Sequence, residues 1–297
     1  MGTSIASLFN LAAMMRQSLF QNYQIEHSRS SWYLQVVSYI ESCHLDDGGY
    51  FFARILPSSP LDTYFAVKSL KILNTEPQRS HAIVSYFLSR LKDHSLDNLR
   101  GISLAAEVLS ELKYPVDDLK TRVPKVLSLQ IKDGGFGTVK NLYVEASSEL
   151  ETTYEAVRTL RVLGGEFNER GVASFVLGLL NPDGGFGTQG HSHLATTFYA
   201  TEILKLLGFE IQKLVVSEDY LRKRESKWQV NFIEDMFWLV KALSNLGEKT
   251  NVAGKVAEFV MDCHRGNGGF ARATVIGIPT LEYTFYAISI LREIGLL

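Results

Sequence analysis

The chain has 297 residues, 46% of them hydrophobic and 21% charged, with a net charge of -2. Such a balance suits a chain that buries a large core, and it argues against fibrous and disordered classes. It also gives no electrostatic footprint for nucleic acid or for an acidic membrane surface.

The leading stretch, MGTSIASLFNLAAMMRQSLFQ, has no basic segment ahead of a clean apolar run, and no window reaches the roughly 18 to 20 apolar residues of a membrane span. A cytoplasmic protein is expected, with a first helix over about residues 1–30 packing on the rest of one domain, 1–297. The next helical run, SWYLQVVSYIES, leads into CHLDDGGY at Cys43 and then into a second helix, LDTYFAVKSLKIL, from Leu61. The same succession returns along the chain. KDGGFGTVKN (Lys132 to Asn141) precedes LETTYEAVRTLRVLG from Leu150, and NPDGGFGTQG (Asn181 to Gly190) precedes LATTFYATEILKLLG from Leu194. Near the end, VAGKVAEFVMDC and CHRGNGGF precede LEYTFYAISILREIG from Leu281.

With Thr63, Thr153, Thr197 and Thr284 set at zero, each copy carries an alanine at +3 and a leucine at +7: Leu70, Leu160, Leu204 and Leu291. That spacing forms one helical face, and the glycine closing three of the four runs is a C-cap. Two degenerate copies fill the gaps, GISLAAEVLSELKYP near Ile102 and NFIEDMFWLVKALSNLG near Phe232. Self-similarity at this period marks an array of supersecondary units. Six helix pairs with no convincing strand predict an all-α closed (α/α)6 toroid. Paired glycines favour closure because they permit positive φ and close backbone approach, while the following aromatic plugs the gap between pairs. The helix starts at the four threonines are then expected around one rim of a single apolar cavity, their N-terminal dipoles converging there. Cys43 and Cys263 occupy equivalent repeat positions, and packing is the expected role of both.

This repeat, Gly-Gly-Phe, a polar loop, an acidic residue and Thr-Tyr or Thr-Phe opening a helix, resembles the α/α-toroid of protein prenyltransferase beta subunits and of squalene and class II terpene cyclases. The resemblance runs from about Trp32 to the C-terminus. It implies an enzyme that uses an isoprenoid diphosphate, or another apolar small molecule, with magnesium accompanying a diphosphate substrate and with a partner subunit and peripheral membrane contact as further expectations. The zinc ligands of protein prenyltransferases fall on Ala195 and Thr197, or on Glu234 and Met236, and on Tyr283, so zinc is not expected. A diphosphate-binding histidine of that family falls on His193. His191, Lys140 and Arg272 are nearby candidates for the same anion by their repeat positions.

Against the cyclases, the acid motif that precedes a threonine corresponds to Glu149, Leu150 and Glu151, with Glu151 in the proton donor's place. Glu234 and Glu282 share the position of Glu151, and Asp62 lies one residue later in its own repeat, so these carboxylates are expected as an acidic rim. Carboxylates in first helical turns also stabilise the helix dipole with no chemistry implied. Among 17 Phe, 13 Tyr and 3 Trp, Tyr154, Phe198, Tyr283 and Trp238 are the expected cavity wall, apolar or presenting π faces. Phosphate-loop, zinc-protease, CxxC and GxSxG motifs are absent. The alternatives to an isoprenoid-diphosphate enzyme are a cyclase using Glu151, a non-catalytic lipid-binding or interaction toroid, and a helical-toroid glycosidase, whose cleft would be polar and open.

Overall fold

The structure, a computed structural model, describes residues 32–137, 149–210 and 214–297; the expected helix over 1–30 lies outside them. Helix α1 (32–42) is followed by α2 (Pro60–Ile72), α3 (Ser80–Lys92), α4 (Leu99–Glu111), a 3-10 turn (Asp117–Arg122) running into α5 (Val123–Leu127), and α6 (Leu150–Leu163). The remainder is α7 (Glu169–Leu177), α8 (Leu194–Leu206), α9 (Val215–Ser226), α10 (Ile233–Asn245), α11 (Ala253–Asp262) and α12 (Leu281–Glu293). No strand occurs among the described residues; isolated bridges such as Leu180 with Phe186 and His264 with Phe270 brace the turns.

The even-numbered helices form an inner ring in which α2 packs on α4, α4 on α6, α6 on α8, α8 on α10, α10 on α12 and α12 back on α2. Closure is therefore complete. The inner helices run parallel and in register, since contacts join equal repeat positions: Tyr154 meets Phe198, Phe198 meets Phe237 and Phe237 meets Phe285, all at +1. Odd-numbered helices cover the ring from outside.

Each recurring turn is held by the same bonds. The Asp or Asn before the glycine pair accepts from the second glycine's N–H, at 3.4 Å in Asp47, 3.0 Å in Asp133, 3.1 Å in Asp183 and 3.1 Å in Asn267. That is an Asx turn. The aromatic that follows, Tyr50, Phe136, Phe186 or Phe270, is fully buried. Its N–H donates to the repeat threonine's Oγ1, at 2.8 Å to Thr63, 3.0 Å to Thr153, 3.0 Å to Thr197 and 3.1 Å to Thr284. The threonines are therefore buried locks between turn and helix. The residues that face inward sit one and two positions further on.

The first glycine of each pair sits against the next outer helix. At Gly184 (φ +90) a Cβ would lie 1.8 Å from the Val216 carbonyl of α9, and at Gly268 (φ +93) 2.2 Å from the Gln35 carbonyl of α1. The last contact joins the sixth pair to the first. All six inner helices end on a left-handed residue, Asn74, Lys113, Gly164, Gly208, Gly247 and Gly295, and the next N–H returns to the carbonyl of the +7 leucine, as Thr75 does to Leu70 and Leu296 to Leu291. These are Schellman-type caps. The two degenerate copies keep them through Leu109 and Leu243. Cys43 and Cys263 are fully buried, and burial pushes the Cys263 thiol up to about 11, as packing roles require.

Candidate functional site

The bore of the ring is a cavity of about 620 Å³ lined by all six inner helices. Repeat positions +1, +2 and +5 of all six inner helices supply its wall, joined by -2 of α2, α4, α6 and α12 and by +8 or +9 of α2, α4 and α12. Successive positions thus stack as tiers from the helix N-termini to their C-termini.

At the mouth, position -2 contributes Leu61, Arg100, Glu151 and Glu282. Arg100 stands 3.8 Å from Glu155 of α6. Glu282 accepts a 3.0 Å hydrogen bond from the Tyr286 hydroxyl. Asp62, beside Glu282 on the neighbouring helix, is pushed up to about 6 by burial; Glu282 adds to the rise and a bond from Ser59 opposes it.

Below the mouth lies an aromatic belt from positions +1 and +2: Tyr64 and Phe65, Tyr154, Phe198 and Tyr199, Phe237 and Trp238, and Phe285 and Tyr286. Ring contacts run continuously from Tyr154 through Phe198, Phe237 and Phe285 to Phe65, with centroid separations of 5.3 to 6.0 Å. Only α4 breaks the belt, presenting Ser103 and Leu104.

The +5 tier is a girdle of alternating charge: Lys68, Glu107, Arg158, Glu202, Lys241 and then Ser289. Arg158 bonds Glu107 and, at 2.9 Å, the Tyr64 hydroxyl; Lys68 lies 3.7 Å from Glu107 and 2.5 Å from Glu111. Glu202 accepts from Asn245 at 2.9 Å, and Lys241 reaches Glu293 at 2.8 Å. The cavity expected to be apolar is therefore apolar only in its belt, and the girdle's charges are paired in the bore rather than buried alone.

The expected site residues divide accordingly. Tyr154, Phe198, Trp238, Glu151 and Glu282 line the cavity. Glu151 is exposed, and burial of the Tyr199 ring, together with the charge of Glu151 beside it, raises that phenol. Glu149 is exposed outside the cavity as the residue before α6, where it accepts from Thr152 at 3.0 Å. His193 and His191 are exposed and line no part of the bore; the His193 carbonyl receives the Thr197 hydroxyl at 2.8 Å. Arg272 is engaged by Glu234, Nε at 2.6 Å and Nη2 at 2.5 Å, and stacks 4.0 Å from the Phe232 ring centroid. Tyr283 stands beside that pair, outside the lining. Lys140 lies outside the described residues.

The acidic rim does not assemble as one cluster. Glu234 turns to Arg272, leaving Asp62 with Glu282 on one side and Glu151 on another. Among the described residues no group of three or more His, Cys, Asp or Glu side chains is placed to hold one metal ion. At positions that the resemblance aligns with zinc ligands, Thr197 Oγ1 accepts from the Phe186 N–H, Met236 is buried, and Glu234 Oε1 is held by Arg272. Arg100 and the girdle do not stand out in the sequence. Carrying the threonine register into the two degenerate copies would find Arg100, Glu107 and Lys241, since Arg100 occupies the position of Glu151 and Glu282 with opposite charge and the other two share position +5 with Lys68, Arg158 and Glu202.

A closed ring of helix pairs around a bore with an aromatic belt defines an α/α toroid. The family model of the prenyltransferase alpha-alpha toroid domain matches residues 12–99, 99–227 and 216–295, and the chain belongs to that family. Among solved structures it is similar to Candida albicans protein geranylgeranyltransferase-I complexed with GGPP, at 18% identity and TM-score 0.70, covering 88% of this chain and 90% of that one. It is also similar to a type II terpene cyclase from Scytonema in complex with its product merosterolic acid A, at 11% identity and TM-score 0.63, covering 92% and 97%. No curated protein matches the sequence. Among the described residues no helix is long and apolar enough to cross a membrane.

Proposed function

We propose that the bore binds an isoprenoid diphosphate and that the protein is an enzyme acting on it. The aromatic belt carries this reading: it offers a chain of apolar π faces in a cavity within the size range of small-molecule sites. Of the similar structures named above, one holds GGPP and the other, a terpene cyclase, its product merosterolic acid A. When the bond between C1 and the diphosphate oxygen breaks, the electron pair leaves on the diphosphate. The allylic cation left behind is the kind of charge that aromatic faces attract.

The cyclase alternative asks Glu151 to be a desolvated acid that stays protonated until it gives its proton up. Glu151 is exposed at the mouth, which favours the diphosphate reading. Titration calorimetry with farnesyl and geranylgeranyl diphosphate tests it. Wild type should bind at least one saturably, and Trp238→Ala should weaken binding about tenfold by removing one belt face. Equal affinity in the two proteins, or no binding to wild type, would overturn the reading.

A further inference from the structure

We infer that Glu155 is a catalytic base in the bore, taking a proton from the carbon beside an allylic cation so that a prenyl diphosphate becomes a conjugated diene and free diphosphate; this rests on the reading above.

At position +2 the six inner helices present Phe65, Leu104, Glu155, Tyr199, Trp238 and Tyr286 to the cavity. Five of these are aliphatic or aromatic, and the one on α6 is a carboxylate. A polar group in such a tier costs free energy unless a hydrogen bond compensates it. Four other bore carboxylates have that compensation: Arg158 bonds Glu107, Lys68 bonds Glu111, Asn245 bonds Glu202 and Tyr286 bonds Glu282. The fifth, Glu151, stands in solvent at the mouth. Glu155 has only Arg100, whose Nε lies 3.8 Å from its Oε1, beyond hydrogen-bond reach. Glu151 also precedes it by one turn of the same helix, a like-charge spacing that weakens the helix. Leucine or phenylalanine would pack better in this seat, so the carboxylate points to a use within the cavity. Its side chain is 22% exposed, enough for an occupant of the bore to reach it.

The surroundings suit a proton acceptor for a carbocation. Tyr154, next to Glu155 on α6, stands 5.4 Å from the Tyr199 ring and 6.0 Å from the Phe198 ring, centroid to centroid, so π faces of α6 and α8 flank the carboxylate. Aromatic faces attract a cation without removing a proton from it. A carboxylate does both. Burial holds the Glu155 carboxyl above the ordinary glutamate range; Arg100 on α4 opposes the rise and Glu151 adds to it, with Arg158 on α6 and Glu107 on α4 acting in the same two senses. A carboxyl moved toward neutral pH is the stronger base. The step balances without a further reactant. The bond between C1 and oxygen breaks and its electron pair leaves on the diphosphate, giving a cation shared by C1 and C3. A hydrogen on a carbon attached to C3 passes to a Glu155 carboxylate oxygen as a proton, and the electron pair of that C–H bond becomes the second double bond of the diene.

Product analysis separates this role from a structural one. Wild type, Glu155→Gln and Glu155→Leu are incubated with farnesyl and geranylgeranyl diphosphate in magnesium buffer, hydrocarbons and alcohols are measured by gas chromatography with mass spectrometry, and binding is followed by calorimetry. Wild type should give a diene from at least one of the two, with turnover falling as acid protonates Glu155 at a pH above the ordinary glutamate range. Both variants should keep binding but lose the diene roughly a hundredfold or more, the usual contribution of a general base. Prenyl alcohols should take its place as water captures the cation. Glu155→Leu should also melt higher than wild type, and it keeps the test decisive if Glu155→Gln does not fold. Undiminished diene in the variants, loss of diene together with loss of binding, or a wild type that binds without forming diene would each overturn the base and leave prenyl diphosphate binding standing. A wild type that binds neither diphosphate would overturn the isoprenoid reading and the base with it.

Discussion

Asp62 shows how one side chain records its place in the ring. Burial disfavours its charged form, and Glu282 across the helix boundary adds to this, so the folded-state pKa stands at about 6, above that of an unfolded chain. A raised carboxyl pKa contributes stability that is fully present below the unfolded pKa and is lost as pH rises through the folded one. The wild type should therefore lose stability from this residue between about pH 4 and pH 6. In Asp62→Asn the gain in melting temperature relative to wild type should grow over that interval and level off above it. A difference that stays constant from pH 4 to pH 7.5 would remove Asp62 from the account. The repeat threonines teach the complementary lesson. Their recurrence marks the helix starts, and each spends its hydroxyl on the turn aromatic's N–H and the helix entry.

At the scale of elements, positive-φ glycines do two different jobs. Gly164 ends α6 at φ +68 with nothing within 4 Å of where a methyl would stand, whereas at Gly268, φ +93, a methyl would come 2.2 Å from the Gln35 carbonyl. Gly164→Ala should cost about 1–2 kcal/mol, the left-handed penalty alone. Gly268→Ala adds a backbone clash at the contact closing the ring, and should cost at least about 1–3 kcal/mol more. Denaturant unfolding of both variants checks the ordering, and equal losses would show that outer-layer closure does not depend on this approach.

Across the whole molecule, the charged girdle joins helices that are far apart in the chain. Arg158 of α6 meets Glu107 of α4 and Tyr64 of α2. Arg158→Met should destabilise by about 3 kcal/mol, the low end for breaking a buried pair, because Lys68 remains 3.7 Å from Glu107. Adding Glu107→Gln should restore part of the loss by neutralising the stranded carboxylate. Chemical denaturation of the single and double variants measures this, and a double variant no more stable than Arg158→Met would argue against a stranded charge as the cause.

The repeat was legible because it is local chemistry: Asx turn, glycine pair, plug, threonine and the +7 leucine all act within about thirty residues, and periodicity exposes local rules. The aromatic wall at Tyr154, Phe198 and Trp238 was legible for the same reason. Helix pairing and closure into a ring followed from that periodicity and from the family resemblance. The tertiary structure alone decided which side of each helix start meets the bore, and with whom. Glu234, Glu151 and Glu282 are equivalent in sequence, but Arg272 claims the first, Tyr199 the second and Tyr286 the third. His193 stands at a promising repeat position and projects no surface into the lumen, while Arg100 in a degenerate copy does. Pairing of charges around the bore depends on partners 39 or more residues away and on six helices held in register. A side chain's sign is written in the sequence, but whether that charge is spent on a neighbour or left for a ligand is settled only when the ring closes.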